Sequence, residues 1–213
     1  MTRYTLQMAG KDRDLKKVRK ITGLADVCYV RQRNLKGLGD AISCAERHVG
    51  GESFAVLLGD SITKSAKPCT RQLIDVFKKY KKPAISLGEV PCGKVCSYGI
   101  VDGDKIDENI YRITQLIEKP KSNQTSSNLA ILGRYILTDD IFDRIKETKT
   151  GFNGEIQLAD AMSKLDEIYG VKFTGKVFNI ENRLEWIKSS IDYSMRDDEF
   201  KDDLVNYMKT FVH

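Results

Sequence analysis

"SFAVLLGD", residues 53–60, decides how this chain is read. Phe54 to Leu58 form an unbroken apolar run that stops at Gly59-Asp60. A short apolar run closed by a turn signal reads as a strand buried on both faces. On its N-terminal side, "LGDAISCAERHV" (38–49) has helical spacing. On its C-terminal side, "CTRQLIDVFKKYKK" (69–82) puts Leu73, Ile74, Phe77 and Tyr80 on one helix face. Farther out, "ADVCYVR" (25–31) and "PAISLGEV" (83–90) read as strands. "GKDRDLKKVRKI" (10–21) reads as a helix through Leu15, Val18 and Ile21. Helix and strand thus alternate three times, the pattern of a mixed, mostly parallel sheet flanked by helices. Ligands of such sheets bind beyond the carboxyl ends of the strands. Gln32–Gly39 and Gly59-Asp60 fall at such ends.

The middle changes character. "SYGIVDGDKI" (97–106), "NIYRITQLIEKP" (109–120) and "SNLAILGRYIL" (127–137) read as strands joined by polar turns, a mixed-sheet insertion over the ligand site. "LTDDIFDRIKET" (137–148) and "GEIQLADAMSKLDEI" (154–168) read as helices, and "VKFTGKVFNI" (171–180) as a strand. From Glu181 to about Phe211 the chain reads as a helical segment with a break near Ser194–Asp197. No internal repeat or interdomain linker interrupts it, so one domain over 1–213 is expected.

Composition narrows the function classes. The 213 residues are 41% hydrophobic and 31% charged, ordinary for a globular protein. The net charge of +5 comes from interspersed charges, without the basic stripe and aromatics of a nucleic-acid binder. "KKYKK" (78–82) is the densest basic run, and a helix C-terminus favours it through the helix dipole. No apolar run is long enough to span a bilayer, and "MTRYTLQMAGKDRDLKK" lacks the apolar core of a signal peptide. A cytoplasmic protein without membrane partners is expected. Five cysteines (28, 44, 69, 92 and 96) with only His48 and His213 read as free thiols rather than a zinc site.

The glycines fit neither of two phosphate-loop patterns. G-x-G-x-x-G fails because Ile42 holds the third glycine position, and no Gly-Lys-Ser/Thr follows. What is left is a glycine turn at Gly37 and Gly39, with Gln32 before it. A glutamine amide both donates and accepts, which suits a nucleobase edge, although an exposed glutamine beside a helix-start turn reads equally well. Asp60 closes a buried strand, where a carboxylate has no packing role. It reads either as a ligand for a divalent cation beside phosphates or as a turn residue. In "LIEKPK" (116–121), Pro120 biases Lys119 to an extended conformation. Glu118 and Lys119 would then point to opposite faces, one toward hydroxyls and the other toward a phosphate, or form a plain surface pair.

The order and spacing of these pieces say more than each alone. "VRQ…KGLGDAI", "FAVLLGDS", "YGIVD", "IEKPK…SNLAILGRYIL" and "GFNGEIQLADAM", from about Leu15 to Lys188, closely resemble the bacterial and archaeal UTP–glucose-1-phosphate uridylyltransferases of the sugar nucleotidyltransferase superfamily. The resemblance implies a Rossmann-like nucleotide-diphospho-sugar transferase fold. It implies an enzyme that makes UDP-glucose and pyrophosphate from UTP and glucose 1-phosphate with Mg2+. On that pattern Gln32 and Gly37 contact uracil, and Asp60 holds magnesium near the α-phosphate. Gly99 lets a backbone group approach glucose. Glu118 binds glucose hydroxyls and Lys119 the glucose phosphate, with Asn128 and Glu155 near the sugar. Gln32 would read thymine as well as uracil, because their hydrogen-bonding edges match.

Two departures bear on activity. The family's first strand and its G-x-G-T-R phosphate loop have no counterpart in this sequence, which predicts little turnover by the 213-residue chain alone. It also predicts exposed neighbours with unpaired backbone groups where that strand would lie. At "VFNIENRLEW" (177–186) the family has an aspartate in place of Asn179 and a glycine in place of Glu181. Asn179 offers an oxygen without charge, so a second metal position is weakened. If the strand continues, Glu181 falls on the face of Asn179 and supplies the charge; otherwise it caps the next helix. Two alternatives follow: a non-catalytic paralogue that binds a nucleotide sugar, and a half-protein completed by a separate chain. The apolar positions Leu184, Trp186, Ile187, Ile191, Met195, Leu204 and Met208 make the C-terminal helix amphipathic. It either covers its own sheet or joins copies in a homo-oligomer.

Overall fold

The computed structural model describes residues 12–121 and 124–211. The chain divides into two compact units, 1–33 and 34–213, each taken by itself. Residues 10 and 11 of the expected first helix and His213 lie outside the described residues.

In the first unit, helix α1 spans Asp12–Thr22. Asp12 and Asp14 sit in its first turn and Arg19 and Lys20 in its last, charges that complement the helix dipole. Gly23 closes it, its N–H donating to the Arg19 carbonyl at 3.0 Å. The strand expected at 25–31 does not form. Val27 is 68% and Tyr29 93% exposed, and no ladder among the described residues includes the run. Its composition suits a strand, but a strand persists only where a partner pairs its backbone.

In the second unit, a main sheet carries helices on both faces. In chain order it contains α2 (Leu38–Ser43), α3 (Glu46–Val49), β1 (Phe54–Leu57), β2 (Ser61–Lys64), α4 (Cys69–Tyr80), β3 (Ala84–Glu89), a 3-10 turn (Cys92–Ser97), β4 (Gly99–Asp107), β5 (Ile110–Glu118) and β6 (Leu129–Leu137). Then follow α5 (Ile141–Lys146), α6 (Leu158–Met162), β7 (Tyr169–Lys172), β8 (Lys176–Asn179), α7 (Arg183–Ser194) and α8 (Lys201–Lys209).

The six-stranded sheet has the order β1-β6-β3-β7-β5-β4, and β6 also pairs β4. Only β3–β7 is a parallel pair; the others among the described strands are antiparallel. The sheet is therefore mixed and mostly antiparallel, not mostly parallel as expected. The cause is β6. β1, β3 and β7 run the same way, as the alternation predicts, but β6 lies between β1 and β3 and runs against both.

Side-chain alternation along the strands supplies two cores. Ile85, Leu87, Tyr135 and Leu137 face α2, α5 and α6, where Ile42, Phe142 and Met162 meet them. Ala84, Ile136 and Val171 face α4, where they meet Leu73 and Val76. Burying a side chain such as Phe142 or Leu73 contributes about 2 kcal/mol each.

Four further elements differ in detail. The helix expected at 38–49 breaks into α2 and α3. The helix expected from Gly154 begins only at Leu158. The strand expected at 171–180 is two strands in different sheets, β7 and β8, because the chain turns near Gly175. The C-terminal segment is two helices with the break at 195–200, close to where it was expected.

The second sheet is the ladder β2–β8. Helix α7 is fastened to it by Asp192, which pairs with Lys64 and, at 2.8 Å, with Lys176. The Phe178 and Tyr193 rings meet at 6.5 Å. No helix among the described residues is long and apolar enough to cross a membrane.

Candidate active site

A cleft of about 520 Å³ opens between the main sheet and the β2–β8 ladder. It brings together Asp60, Gly99, Glu118, Lys119, Asn179 and Glu181. Among its lining residues, Asp60, Glu89, Glu118, Glu181 and Glu185 are acids, while Lys94 and Lys119 are the cations. The wall is thus rich in carboxylates, and a polyphosphate entering it needs added positive charge.

One wall is the end of the β4–β5 hairpin. Gly99 stands opposite Glu118 in the ladder. A Cβ on Gly99 would lie 3.0 Å from Glu118 Oε2, so glycine leaves that carboxylate uncovered. Lys119 does not continue the strand. Its φ is +46°, a left-handed conformation that costs a non-glycine residue about 1 kcal/mol or more. The extended conformation expected before Pro120 is therefore absent. The turn brings Lys119 to the same cleft as Glu118 rather than to the opposite face. Its N–H donates to the Tyr98 carbonyl at 3.0 Å, which holds the turn.

Burial pushes the Glu118 carboxyl above the usual carboxylate range. Lys119 opposes the shift, and Asp160 and Glu155 add to it. A carboxyl with a raised folded value stabilises the fold below its unfolded value and loses that contribution as pH rises through the folded one. Glu118→Gln is therefore expected to gain melting temperature relative to the parent over the range in which pH rises above about 4. Thermal melts of both proteins across that range check it; a difference independent of pH refutes it.

The cleft is also lined by Asp60, in the turn between β1 and β2. Its Oδ1 is buried and has no hydrogen-bond partner. A buried carboxylate oxygen without a donor is costly unless a cation meets it. That orphaned atom can offer one ligand to a hard divalent cation, although no group of three or more acidic, histidine or cysteine side chains converges on one point among the described residues. Tyr135 lines the same cleft, within reach of the charges of Glu118 and Asp60. Its phenol is pushed far up by burial and by Glu118 and Asp60, so it stays a neutral donor.

Asn179 ends β8, its backbone opposite Ser61. Its Oδ1 accepts the Glu181 N–H at 3.0 Å. The strand stops there, so Glu181 lies in a turn and not on a continued strand face. Glu181 does not cap α7 either. Asn182 does, accepting the N–H groups of Leu184 and Glu185. Both Asn179 and Glu181 nevertheless line the cleft, because the turn keeps them beside Asp60, whose carbonyl accepts the Ile180 N–H at 2.8 Å.

Gln32 belongs to the first unit, which is taken by itself. Three other expected residues do not line the cleft. Gly37, at φ +93°, is approached by the chain itself: a Cβ there would lie 2.7 Å from that of Glu155. Backbone bonds Gly39 N–H to Ile156 O (2.9 Å) and Ile156 N–H to Lys36 O (2.7 Å) lock the two segments. Gly37→Ala is expected to cost about 2 kcal/mol and lower the melting temperature by roughly 6 °C; calorimetry showing no drop refutes it. Glu155 sits behind the cleft, its carboxylate accepting from Gln157, a lining residue, at 3.3 Å. Asn128 accepts the N–H of Val90, also a lining residue, at 3.0 Å. Lys94, Tyr135 and Gln157 were missed. Nothing in the spacing marks Lys94 or Tyr135, whereas Gln157 stands inside "GEIQLADA".

Comparison with known proteins agrees with this architecture. The model of the nucleotidyl transferase family matches residues 6–178. The UTP–glucose-1-phosphate uridylyltransferase of Staphylococcus haemolyticus (strain JCSC1435) is 41% identical over 207 residues, covering 96% of this chain and 72% of the relative. That of Bacillus subtilis (strain 168) is 41% identical over 211 residues, covering 98% and 72%. A UDP-glucose pyrophosphorylase solved in complex with UDP-glucose superposes with a TM-score of 0.82 at 37% identity, over 88% of this chain and 73% of that one. With a nucleotidyl transferase core over most of its length and relatives of this closeness, the chain belongs to the UTP–glucose-1-phosphate uridylyltransferase family.

Proposed function

We propose that the chain works as a uridylyltransferase, joining UTP and glucose 1-phosphate into UDP-glucose with release of pyrophosphate. One observation carries the reading: a single cleft is lined both by Asp60, with its orphaned buried oxygen, and by the Glu118–Lys119 pair. The sugar phosphate oxygen attacks the α-phosphorus in line, and the bond to the β-phosphate oxygen breaks. Lys119 holds the attacking phosphate and Glu118 the glucose hydroxyls, with Gly99 giving the sugar room. Asn128 and Glu155 support that wall. Gln32 and Gly37 are assigned to uracil. A divalent cation held by Asp60, Mg2+ on this reading, offsets the charge of the α-phosphate, with Asn179 and Glu181 as a weaker second position. The residues' work is positioning and charge neutralisation. Both substrates are charged metabolites, which accords with a cytoplasmic site of action. Exposed Leu184, Trp186, Ile187 and Tyr207 on α7 and α8 support association of copies through that segment.

A second reading, a nucleotide-sugar-binding protein of low turnover, draws on the same cleft. None of its described lining residues is an arginine, and Asn179 brings no charge. The test is titration calorimetry with UDP-glucose and ADP-glucose, together with assay of UDP-glucose formation from UTP and glucose 1-phosphate. Selective binding of UDP-glucose is expected, with slow formation. Binding without any formation selects the second reading. No binding of UDP-glucose overturns both.

A further inference from the structure

β6 is irregular where it passes the cleft. Its register against β3 runs Ile85↔Tyr135 and then Leu87↔Ile131, so β6 carries two more residues than β3 between these pairs. The bulge contains Gly133, at φ +72°, and Arg134. Ser86 fills the gap: its Oγ accepts the Arg134 N–H at 3.2 Å and donates to the Arg134 carbonyl at 3.1 Å. Bulges re-aim side chains, often beside active sites. Here the buried Arg134 guanidinium reaches the turn that carries Asp60. It donates to the carbonyls of Leu58 (2.8 Å), Gly133 (3.0 Å) and Ser61. Leu58 and Ser61 are the residues on either side of Gly59-Asp60.

We propose that Arg134 is a positioning residue that clamps the Leu58–Ser61 turn at both ends, so that the Asp60 carboxylate is held toward the cleft ready for a divalent cation. The inference rests on the reading of Asp60 given above. The guanidinium suits the task because its rigid planar fork aims two separate nitrogens at the Leu58 and Ser61 carbonyls, whereas an ammonium offers all its donors from a single nitrogen. Two other tethers complete the hold. Ser61 Oγ donates to the Leu132 carbonyl at 2.9 Å, and the Ile180 N–H donates to the Asp60 carbonyl at 2.8 Å. The turn also joins β1 to β2, so the clamp fixes where the main sheet hands the chain to the β2–β8 ladder. A buried cation satisfied by main-chain carbonyls is a costly device for stability alone. Fixing one carboxylate gives it a use, as outer contacts do for metal ligands elsewhere.

The experiment compares the parent chain with Arg134→Lys, Arg134→Gln and Ser61→Ala. Two quantities are read: hydrogen exchange of the Ile180 amide, and the Mg2+ concentration needed for half of the metal-dependent gain in UDP-glucose affinity. In Arg134→Lys the Ile180 amide is expected to exchange about tenfold faster, while the Ile85 amide keeps its rate. The Mg2+ demand rises about tenfold and metal-free UDP-glucose affinity stays within about twofold. Arg134→Gln gives the larger shift. Ser61→Ala loosens the same turn without disturbing the buried cation and gives a smaller shift of the same kind, which keeps the test decisive if the Arg134 variants fail to fold. Unchanged Mg2+ demand in the folded Arg134 variants or, where these fail to fold, in Ser61→Ala overturns the positioning role. A parent chain with no metal-dependent gain at all overturns instead the reading of Asp60 on which it rests.

Discussion

Asp60→Asn is expected to lower kcat/KM for UDP-glucose formation by at least about 100-fold while leaving the melting temperature unchanged or higher. The two effects share one cause. Oδ1 of Asp60 is buried without a donor. In the absence of a cation, that charge burdens the fold. The asparagine keeps the shape and an oxygen but removes the charge, so the folded chain loses a burden and the cation loses its anchor. A 100-fold loss corresponds to about 2.7 kcal/mol of transition-state stabilisation, within the range for one preorganised electrostatic group. Steady-state rates over a Mg2+ series, with melts of both proteins, check the pairing. Activity within about threefold of the parent refutes the assignment, and a lower melting temperature would make Asp60 a structural residue.

Lys119→Gly carries the second large effect. Lys119 holds a left-handed φ of +46°. Glycine adopts that conformation without the Cβ penalty and would release about 1 kcal/mol of strain. The same change removes the ammonium from a cleft whose other cation is Lys94 among the described lining residues. Losing a charge-assisted contact to phosphate costs several kcal/mol. The expected result is a melting temperature held or raised by about 2 °C. At the same time glucose 1-phosphate turnover falls about 100-fold. Stopped assays at varied glucose 1-phosphate, with melts of the same samples, decide it. A variant that is less stable and as active as the parent would show that the strained turn serves the fold and not the substrate.

The candidate site was legible to different depths. Asp60, Glu118 and Lys119 each read two ways from spacing alone, as ligands or as turn and surface residues, because a charged residue at the end of an apolar strand suits either. Their union in one cleft was legible only through the likeness to a family. The conformation of Lys119 was misjudged. The local rule for a residue before proline favours extended backbone, but the Tyr98 carbonyl and the hairpin around it impose a turn. Arg134 gave no local sign at all. It acts through a bulge, and a bulge exists only relative to the neighbouring strand, β3.

What the residues determine by themselves is periodicity: α4 from its apolar stripe, β1 from a continuous apolar run, β3 from a largely apolar one, and the breaks at Gly and Pro. These depend on interactions within a few positions, which spacing displays directly. Tertiary structure decided pairing. "ADVCYVR" has strand chemistry yet pairs with no described strand, while β6, read only as one strand of an insertion, runs between β1 and β3 and against both. A strand's backbone hydrogen bonds are made to segments distant in the chain. Which segment satisfies them, and which carboxylate a bulge then clamps, is settled only when the chain has closed on itself.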